Sequence, residues 1–518
     1  MPRIIVIGAG MGGLAAAIDL ARAGCEVTVI ERTDSPGGKL RELHPGARPI
    51  DAGPTVFTMR GVFDALFEHA GTRLQDHLQI EQASILARHA WRGSDAVLDL
   101  HADRQQAAAA IGAFASSRDA AGYLALCDRA TEVYEALRNS FMATAKPGTA
   151  QLLQRLGASG LMTMLRTPAW QSLWSALDGH FRDPRLRQLF ARYSTYVGSS
   201  PLRAPATLML IAHVEQSGVW LVQGGMKRIA LALQGLARSL GVHFRYDTHC
   251  AAIDVQRGKA CGVQLADGES LTADAIVFNG DVQALATGLL GNEAQRAVAA
   301  RTRTQHGLSA ITWCIDSPTR GFALEHHNVF FGHDYPREFR EIFDKRRITT
   351  DPTVYICAQD RGGLRPALAD GERERLLLLV NAPADGDIGG IDDDELARVS
   401  QRVFALLGDC GLFIDADPQS AAITRPQNFA TLFPGSAGSL YGRANHGMFA
   451  SFEKPAARTR VAGLYVAGGT AHPGPGVPMA TLSGRLAALA LLEDQRGAGT
   501  ILSRMFADET TPGRPAPG

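Results

Sequence analysis

Apolar residues along this 518-residue chain switch between strand-like and helix-like spacing, and the switches divide it into blocks. The opening run Arg3-Ile4-Ile5-Val6-Ile7 reads as a strand. A glycine-rich turn follows, then helical spacing from Met11 to Ala23 and a second strand-like run from Glu26 to Glu31. Strand, glycine turn, helix and strand in that order predict a βαβ unit. Beyond Asp51-Ala52-Gly53-Pro54-Thr55, apolar positions recur at helical spacing through about Tyr196, which predicts a helical layer over 61–217.

A second mixed block starts at Gly218-Val219-Trp220, where Gly224-Gly225-Met226 opens a helix running to Leu240. Short strands are predicted near Val242 to Tyr246 and Ile253 to Val255, with a hairpin at Asp267-Gly268 and a strand at Ala275 to Phe278. From Ser309 to Ala382, runs such as Ala310-Ile311-Thr312-Trp313 and Leu376 to Val380 predict a sheet. Gly463 to Leu492 repeats strand, glycine turn and helix before a Pro/Gly-rich tail. The blocks group as a discontinuous domain (1–60, 218–295 and 425–500), a helical region (61–217), a sheet region (296–424) and a tail (507–518) read as disordered.

A chain of this length with 46% hydrophobic residues can bury large cores and reads as two connected domains. Its 52 basic residues balance 52 acidic ones, so no global field draws it to nucleic acid, and any partner is met at a local site. Seven cysteines without a CxxC pair support neither a zinc knuckle nor a disulfide framework, so no metal is expected and a reducing cytoplasm fits. The N-terminus enters its first strand without a secretion signal. No apolar run approaches the roughly 20 residues that span a bilayer, which leaves only peripheral membrane contact.

Candidate chemistry concentrates at the two chain ends. In Gly8-Ala9-Gly10-Met11-Gly12-Gly13, Gly8 permits the turn, Gly10 admits a pyrophosphate and Gly13 lets helix pack on strand, with Gly12 between them. Glu31, ending the second strand, suits ribose hydroxyls and repels a 2′-phosphate, favouring FAD or NAD over NADP despite Arg32. The loop Ser35-Pro36-Gly37-Gly38-Lys39-Leu40-Arg41 points to FAD, because the backbone N–H groups of Gly37 and Gly38 and the nearby cations suit a diphosphate or a flavin. At the other end, Gly468-Gly469-Thr470-Ala471-His472-Pro473-Gly474-Pro475-Gly476 forms a second glycine-rich turn before a helix.

The GxGxxG run, acidic strand end and glycine pair resemble the flavin-dependent amine oxidase and phytoene desaturase superfamily. Asp51 to Thr55, Tyr196 to Pro201, Gly218 to Trp220, Gly224 to Met226 and Thr470 to Ala480 are similar to its carotenoid desaturase branch, over almost the whole chain. Asp51 to Met59, Arg192 to Gly198, His326 to Phe331, Tyr355 to Arg361 and Phe433 to Ser436 most resemble hydroxyneurosporene-type desaturases. Those enzymes of purple phototrophic bacteria introduce a 3,4 double bond into acyclic 1-hydroxycarotenoids. The resemblance implies an α/β fold: a Rossmann-like FAD-binding domain with an inserted substrate domain of mixed sheet and membrane-facing helical layer. It also implies adenine near the Cys250 backbone and the isoalloxazine near Gly468, Gly469 and the turn Gly476-Val477-Pro478-Met479-Ala480. Relatives place Thr immediately before His-Pro-Gly, whereas here Ala471 stands there and Thr470 precedes it, so no hydroxyl contact carries over.

Desaturation sends a hydride to flavin and a proton to a base or solvent, with oxygen or quinone as terminal acceptor. Glu325, His326, His327 and Asp360 are candidates for the base, and none is singled out. Adjacent histidines in a strand point apart, which argues against a two-histidine metal site, and Asp360-Arg361 reads as an ion pair. A carotenoid has about forty carbons, so at roughly 0.8 kcal/mol per buried methylene its passage through water is prohibitive and the protein must collect it from a membrane. Phe141 to Leu177 suits such uptake, with Lys146, Arg155 and Arg166, no acidic residue, and apolar Leu152, Leu153, Leu156, Leu161, Met162, Met164 and Leu165, followed by Trp170, Leu173, Trp174 and Leu177. Phytoene-type desaturation and carotene isomerisation remain open alternatives. A flavin-free isoprenoid carrier of the Rab GDP-dissociation-inhibitor type is disfavoured by the intact Gly468 to Ala480 motif.

Overall fold

The apolar opening run is the middle strand of a five-stranded parallel sheet ordered Leu464–Val466, Ala275–Phe278, Arg3–Ile7, Glu26–Ile30 and His243–Arg245. The computed structural model describes residues 1–496 except 168, 364–367, 369, 370, 417–420 and 449, so the predicted tail lies outside the described residues. Lack of alternation in Arg3–Ile7 follows from cover on both faces. Ile4 and Val6 pack with helices Met11–Arg22, Lys227–Ser239 and Val477–Arg496, while Ile5 and Ile7 pack toward the antiparallel meander Cys250–Gln256, Lys259–Leu265 and Ser270–Thr272. Asp267 and Gly268 turn the last hairpin of that meander, with Gly268 at φ +94°.

The first and last helices bring the chain ends together. Small residues, Ala15 to Ala17 against Ala487, Ala488 and Ala490, allow close approach, and a Cβ on Gly484 would collide with the carbonyl of Gly12. Between these helices Arg485 Nε stands 3.1 Å from Asp19 Oδ2, both side chains fully buried. Such a pair contributes little net stability, but losing one partner strands the other charge.

A second, mixed sheet runs in the order Leu412–Ile414, Ser309–Gly321, Arg373–Ala382, Val354–Ala358, His327–Phe331, Ile85–Trp91 and Ser94–His101, with Ala422–Thr424 also paired to Ser309–Gly321. Ile311, Trp313 and Ile315 face helix Asp393–Asp409, and alternate residues, including Cys314, Leu377, Tyr355, Cys357 and Val329, face the opposite way. Its last two strands correct the reading of 61–217 as a helical layer. Ile85–Trp91 and Ser94–His101 form a hairpin that extends the sheet through a parallel pairing with His327–Phe331. A seven-residue run with Ala at two positions is compatible with either period, and only the distant partner strand decides it.

Helices dominate the remainder of 61–217, including Ser117–Leu137, Thr149–Arg166 and Pro184–Ala191. Thr149–Arg166 is broken at Gly157, whose φ of +60° and ψ of −170° leave the helical region. Among the described residues no helix is long and apolar enough to cross a membrane.

Candidate active site

One cavity of about 1600 Å³ joins the two glycine-rich chain ends to the helical layer. It exceeds the roughly 300–1,000 Å³ usual for one small ligand. Of the sequence-predicted contacts, Gly8, Gly10, Gly12, Glu31, Gly37, Gly38, Lys39, Arg41, Cys250, Gly468, Gly469, Gly476, Val477, Pro478 and Met479 all line it. Gly13 does not: a Cβ there would strike the carbonyl of Gly8, so its place is the packing of helix on turn.

The dinucleotide end is a cradle made of backbone. Gly8 and Gly468 both sit at φ +99°, a region open to glycine. Gly37 donates its N–H to the Ala9 carbonyl at 2.8 Å, and a Cβ on Gly38 would come 3.3 Å from the Gly10 Cα, so the two glycine loops abut. Glu31 is oriented by the N–H of Ala9 (2.8 Å) and by the N–H and hydroxyl of Thr33 (3.0 and 2.9 Å). The Glu31 carbonyl accepts from the N–H of Thr248, which leads the chain through His249 to the buried Cys250 on the cavity wall. Asn279, missed in the sequence, joins both ends. Its Nδ2 donates to the Gly8 carbonyl at 3.2 Å, and its side chain occupies the space that a Cβ at Gly10, Gly12 or Gly468 would need. The available signal is a polar residue directly after the buried strand Ala275–Phe278.

At the other end of the cradle, helix Val477–Arg496 starts at the Gly476 turn with Ala480 N–H bonded to the Gly476 carbonyl. The preceding N–H groups of such a helix have no partner of their own. Lys39 reaches the Leu440 carbonyl at 2.5 Å over the Phe433 ring, and burial pulls its pKa down to about 8. Arg41 donates to Thr424 Oγ1 at 2.8 Å, and burial lowers its pKa too. Thr470 uses its hydroxyl to accept from the Val282 N–H at 3.1 Å, which ties the turn to the neighbouring loop, while Ala471 is fully buried.

Lys454 is a second residue that sequence patterns did not flag. It lines the cavity fully buried, donates to Asn445 Oδ1 at 2.5 Å, and would lie 3.5 Å from a Cβ on Gly474. Burial, reinforced by Arg443 and Arg301, brings its pKa down to about 7. An amine held there exchanges a proton at neutral pH.

The residues first considered as proton acceptors do not line the cavity. Glu325 pairs with Arg88 at 3.3 Å. Asp360 and Arg361 do not form one ion pair as read from the sequence: Asp360 binds Arg375 (2.7 Å) and Arg48 (3.2 Å), and Arg361 binds Glu374 (2.9 Å). His326 and His327 also differ from expectation. His326 lies in the bend before strand His327–Phe331, so alternation does not separate the rings, whose centroids are 4.6 Å apart. Their ligand atoms and Cys357 Sγ lie within 4.8 Å of one another, but His326 Nδ1 meets the Arg361 carbonyl (2.8 Å) and His327 Nδ1 meets the Tyr355 hydroxyl (2.7 Å).

The cavity opens beside helix Thr149–Arg166. Leu152 and Leu156 are buried there, while Leu153, Leu161, Met162, Leu165 and Trp170 are 44–71% exposed. Leu173 and Leu177 are fully buried in the core and Trp174 lies under Arg187 (4.0 Å), which removes all three from the predicted membrane face. Helical spacing alone does not distinguish an outward stripe from a core-facing one.

A parallel-sheet dinucleotide cradle closed by the last helix defines a flavin oxidoreductase of the amine oxidase type. The family model described as flavin-containing amine oxidoreductase matches residues 11–492. The chain belongs to that family, and within it to the carotenoid desaturases. It is 48% identical over 490 residues to hydroxyneurosporene desaturase of Rubrivivax gelatinosus (95% of this chain, 93% of the relative). It is 45% identical over 500 residues to hydroxyneurosporene desaturase of Cereibacter sphaeroides (95% and 98%). The fold is shared with cyclohexylamine oxidase from Brevibacterium oxydans, at TM-score 0.55 and 16% identity over 95% of this chain and 99% of that one. FAD is the cofactor, and a cradle whose glycines leave no room for Cβ atoms fits its pyrophosphate.

Proposed function

We propose that this protein desaturates an acyclic 1-hydroxycarotenoid such as 1-hydroxyneurosporene, introducing the 3,4 double bond. The observation that carries this reading is one cavity joining a dinucleotide cradle to an apolar mouth. The names of the two relatives supply the substrate class.

In this reading Gly8, Gly10, Gly12, Gly37 and Gly38 receive the pyrophosphate, Glu31 the ribose and the Cys250 backbone the adenine. Gly468, Gly469, Gly476, Val477, Pro478 and Met479, with Lys39 and Arg41, surround the flavin. FAD supplies the hydride acceptor. The apolar walls hold the polyene and exclude water, and Lys454, with a pKa near neutrality, takes the proton. Leu153, Leu161, Met162, Leu165 and Trp170 dock the mouth on the cytoplasmic face of a membrane, helped by Arg155 and Arg166, and the polyene enters without crossing water. Oxygen or a membrane quinone accepts the electrons.

The test is conversion by the purified flavoprotein of carotenoids presented separately in liposomes. Product with a red-shifted spectrum from 1-hydroxyneurosporene, in excess over product from phytoene, is expected. Preference for phytoene rejects the substrate, and a protein that takes up no flavin after FAD supplementation rejects the enzyme.

A further inference from the structure

The cavity is apolar along its mouth and polar at one enclosed wall. Arg192, Tyr335, Tyr355 and Thr312 line it there, whereas Leu152, Leu156 and Leu161 line the mouth. Arg192 lies over the rings of Tyr196 (5.4 Å) and Tyr355 (5.2 Å). No carboxylate stands within ion-pair distance of it among the described residues. The acid that balances it, Glu215, lies beyond Tyr196, whose hydroxyl donates to it. Burial opposes the guanidinium charge and nearby acidic groups, Glu215 among them, favour it, so Arg192 stays protonated. Tyr335 is 3% exposed and its hydroxyl has no hydrogen-bond partner among the described residues, and the same holds for the Thr312 hydroxyl.

A hydrocarbon entering this cavity expels its water and leaves the Tyr335 and Thr312 hydroxyls facing carbon, and the Arg192 guanidinium with the Tyr196 hydroxyl as its hydrogen-bond partner. Stranding a polar group costs about 1–3 kcal/mol, and a charge costs more. An incoming end that carries an oxygen removes the cost, because a hydroxyl accepts from Arg192 and donates to Tyr335. We infer that Arg192 and Tyr335 form the receptor for a tertiary hydroxyl at the end of the substrate, with Thr312 a further unpartnered hydroxyl on the same cavity, and thereby set substrate choice. This rests on the desaturase reading above.

The position of the receptor suits the chemistry. In a 1-hydroxycarotenoid the bond to be oxidised lies next but one to the carbinol carbon, so the receptor must adjoin the hydride acceptor. Tyr355 is tied at 2.6 Å to Thr55, in the loop whose Gly53 abuts the Lys39 carbonyl beside the cofactor cradle. Thr312 pairs across the sheet with Thr424, the partner of Arg41. The hydroxyl-binding wall and the flavin-side cations thus stand on neighbouring strands and loops, joined by one hydrogen bond on each route, Tyr355 to Thr55 and Arg41 to Thr424.

The test compares initial rates on neurosporene and 1-hydroxyneurosporene, which differ in the hydrated end group, each in liposomes, for wild type, Tyr335→Phe, Thr312→Val and Arg192→Leu, with flavin content checking the fold. The wild type prefers the hydroxylated carotenoid, and the variants lower that preference about ten- to a hundred-fold. Variants with normal flavin that keep the wild-type preference, or that slow both carotenoids equally, overturn the receptor while leaving the desaturase reading intact. A wild type that converts neither carotenoid overturns both. If Arg192→Leu loses flavin, the two smaller changes decide the outcome.

Discussion

At Gly12 a single methyl group has nowhere to go. A Cβ would stand 2.6 Å from Asn279 Oδ1, 2.8 Å from the Gly468 nitrogen and 2.9 Å from the Ala480 carbonyl oxygen. Overpacking of this kind costs about 1–3 kcal/mol, and here the strain opens the junction between both glycine turns. Gly12→Ala is therefore expected to weaken FAD binding about ten-fold or more, read as the flavin-to-protein absorbance ratio on dilution. Gly235→Ala is the control, since nothing lies within 4 Å of a Cβ there. Equal flavin retention in the two variants contradicts the cradle. These glycines and Glu31 were legible in the sequence because the turn and its carboxylate sit in one short βαβ stretch. The role of Asn279 was not, because it comes from Gly8 and Gly468, far along the chain, and the settings of Lys454 and Arg192 are likewise completed by distant groups, Arg301 and Tyr355.

Among the elements, helix Thr149–Arg166 shows how one sequence stretch serves two environments. On either side of its break at Gly157, Leu152 and Leu156 are buried against the cavity while Leu161, Met162 and Leu165 are exposed. Burying a side chain of this size in the apolar layer of a membrane is worth roughly 1.5–3 kcal/mol. Met162→Asp combined with Leu165→Asp is expected to reduce co-sedimentation with vesicles containing anionic phospholipid by about ten-fold or more, with flavin retained. Sedimentation equal to wild type removes this helix from the docking face. The sequence located this stretch through its basic and apolar composition without an acid. It did not separate it from Leu173 and Leu177, which belong to the core, nor reveal the hairpin Ile85–Trp91 and Ser94–His101. In both cases the deciding partner is a surface built from other parts of the chain.

Across the whole molecule, burial of neutral histidines ties stability to pH. His306, His446 and His472 are held with pKa values near 4 and His89 near 3, chiefly because burial disfavours their charged forms. His446 Nε2 accepts the Ser200 N–H at 2.9 Å, an arrangement that protonation of this nitrogen destroys. Each folded pKa lies below the unfolded value of about 6.5, so the unfolded chain binds the proton first. The stability these groups provide is present above pH 6.5 and is lost as pH falls toward 4, on the order of 3 kcal/mol for each of His306 and His472. Buried acids act in the opposite sense, and burial raises Glu215 in the same direction as Asp51 and Glu338. Burial raises Asp51 to about 6 and Glu338 to about 7, so the folded state takes up their protons first and gains stability in the same window. The histidines outnumber them and shift as far, so the net slope is downward on acidification. The urea midpoint is expected to fall steadily from pH 7 to pH 4.5, and His446→Gln, which keeps an acceptor for the Ser200 N–H, is expected to flatten that fall. A midpoint that rises over the interval means that the buried acids, and not the histidines, govern the acid behaviour of this fold.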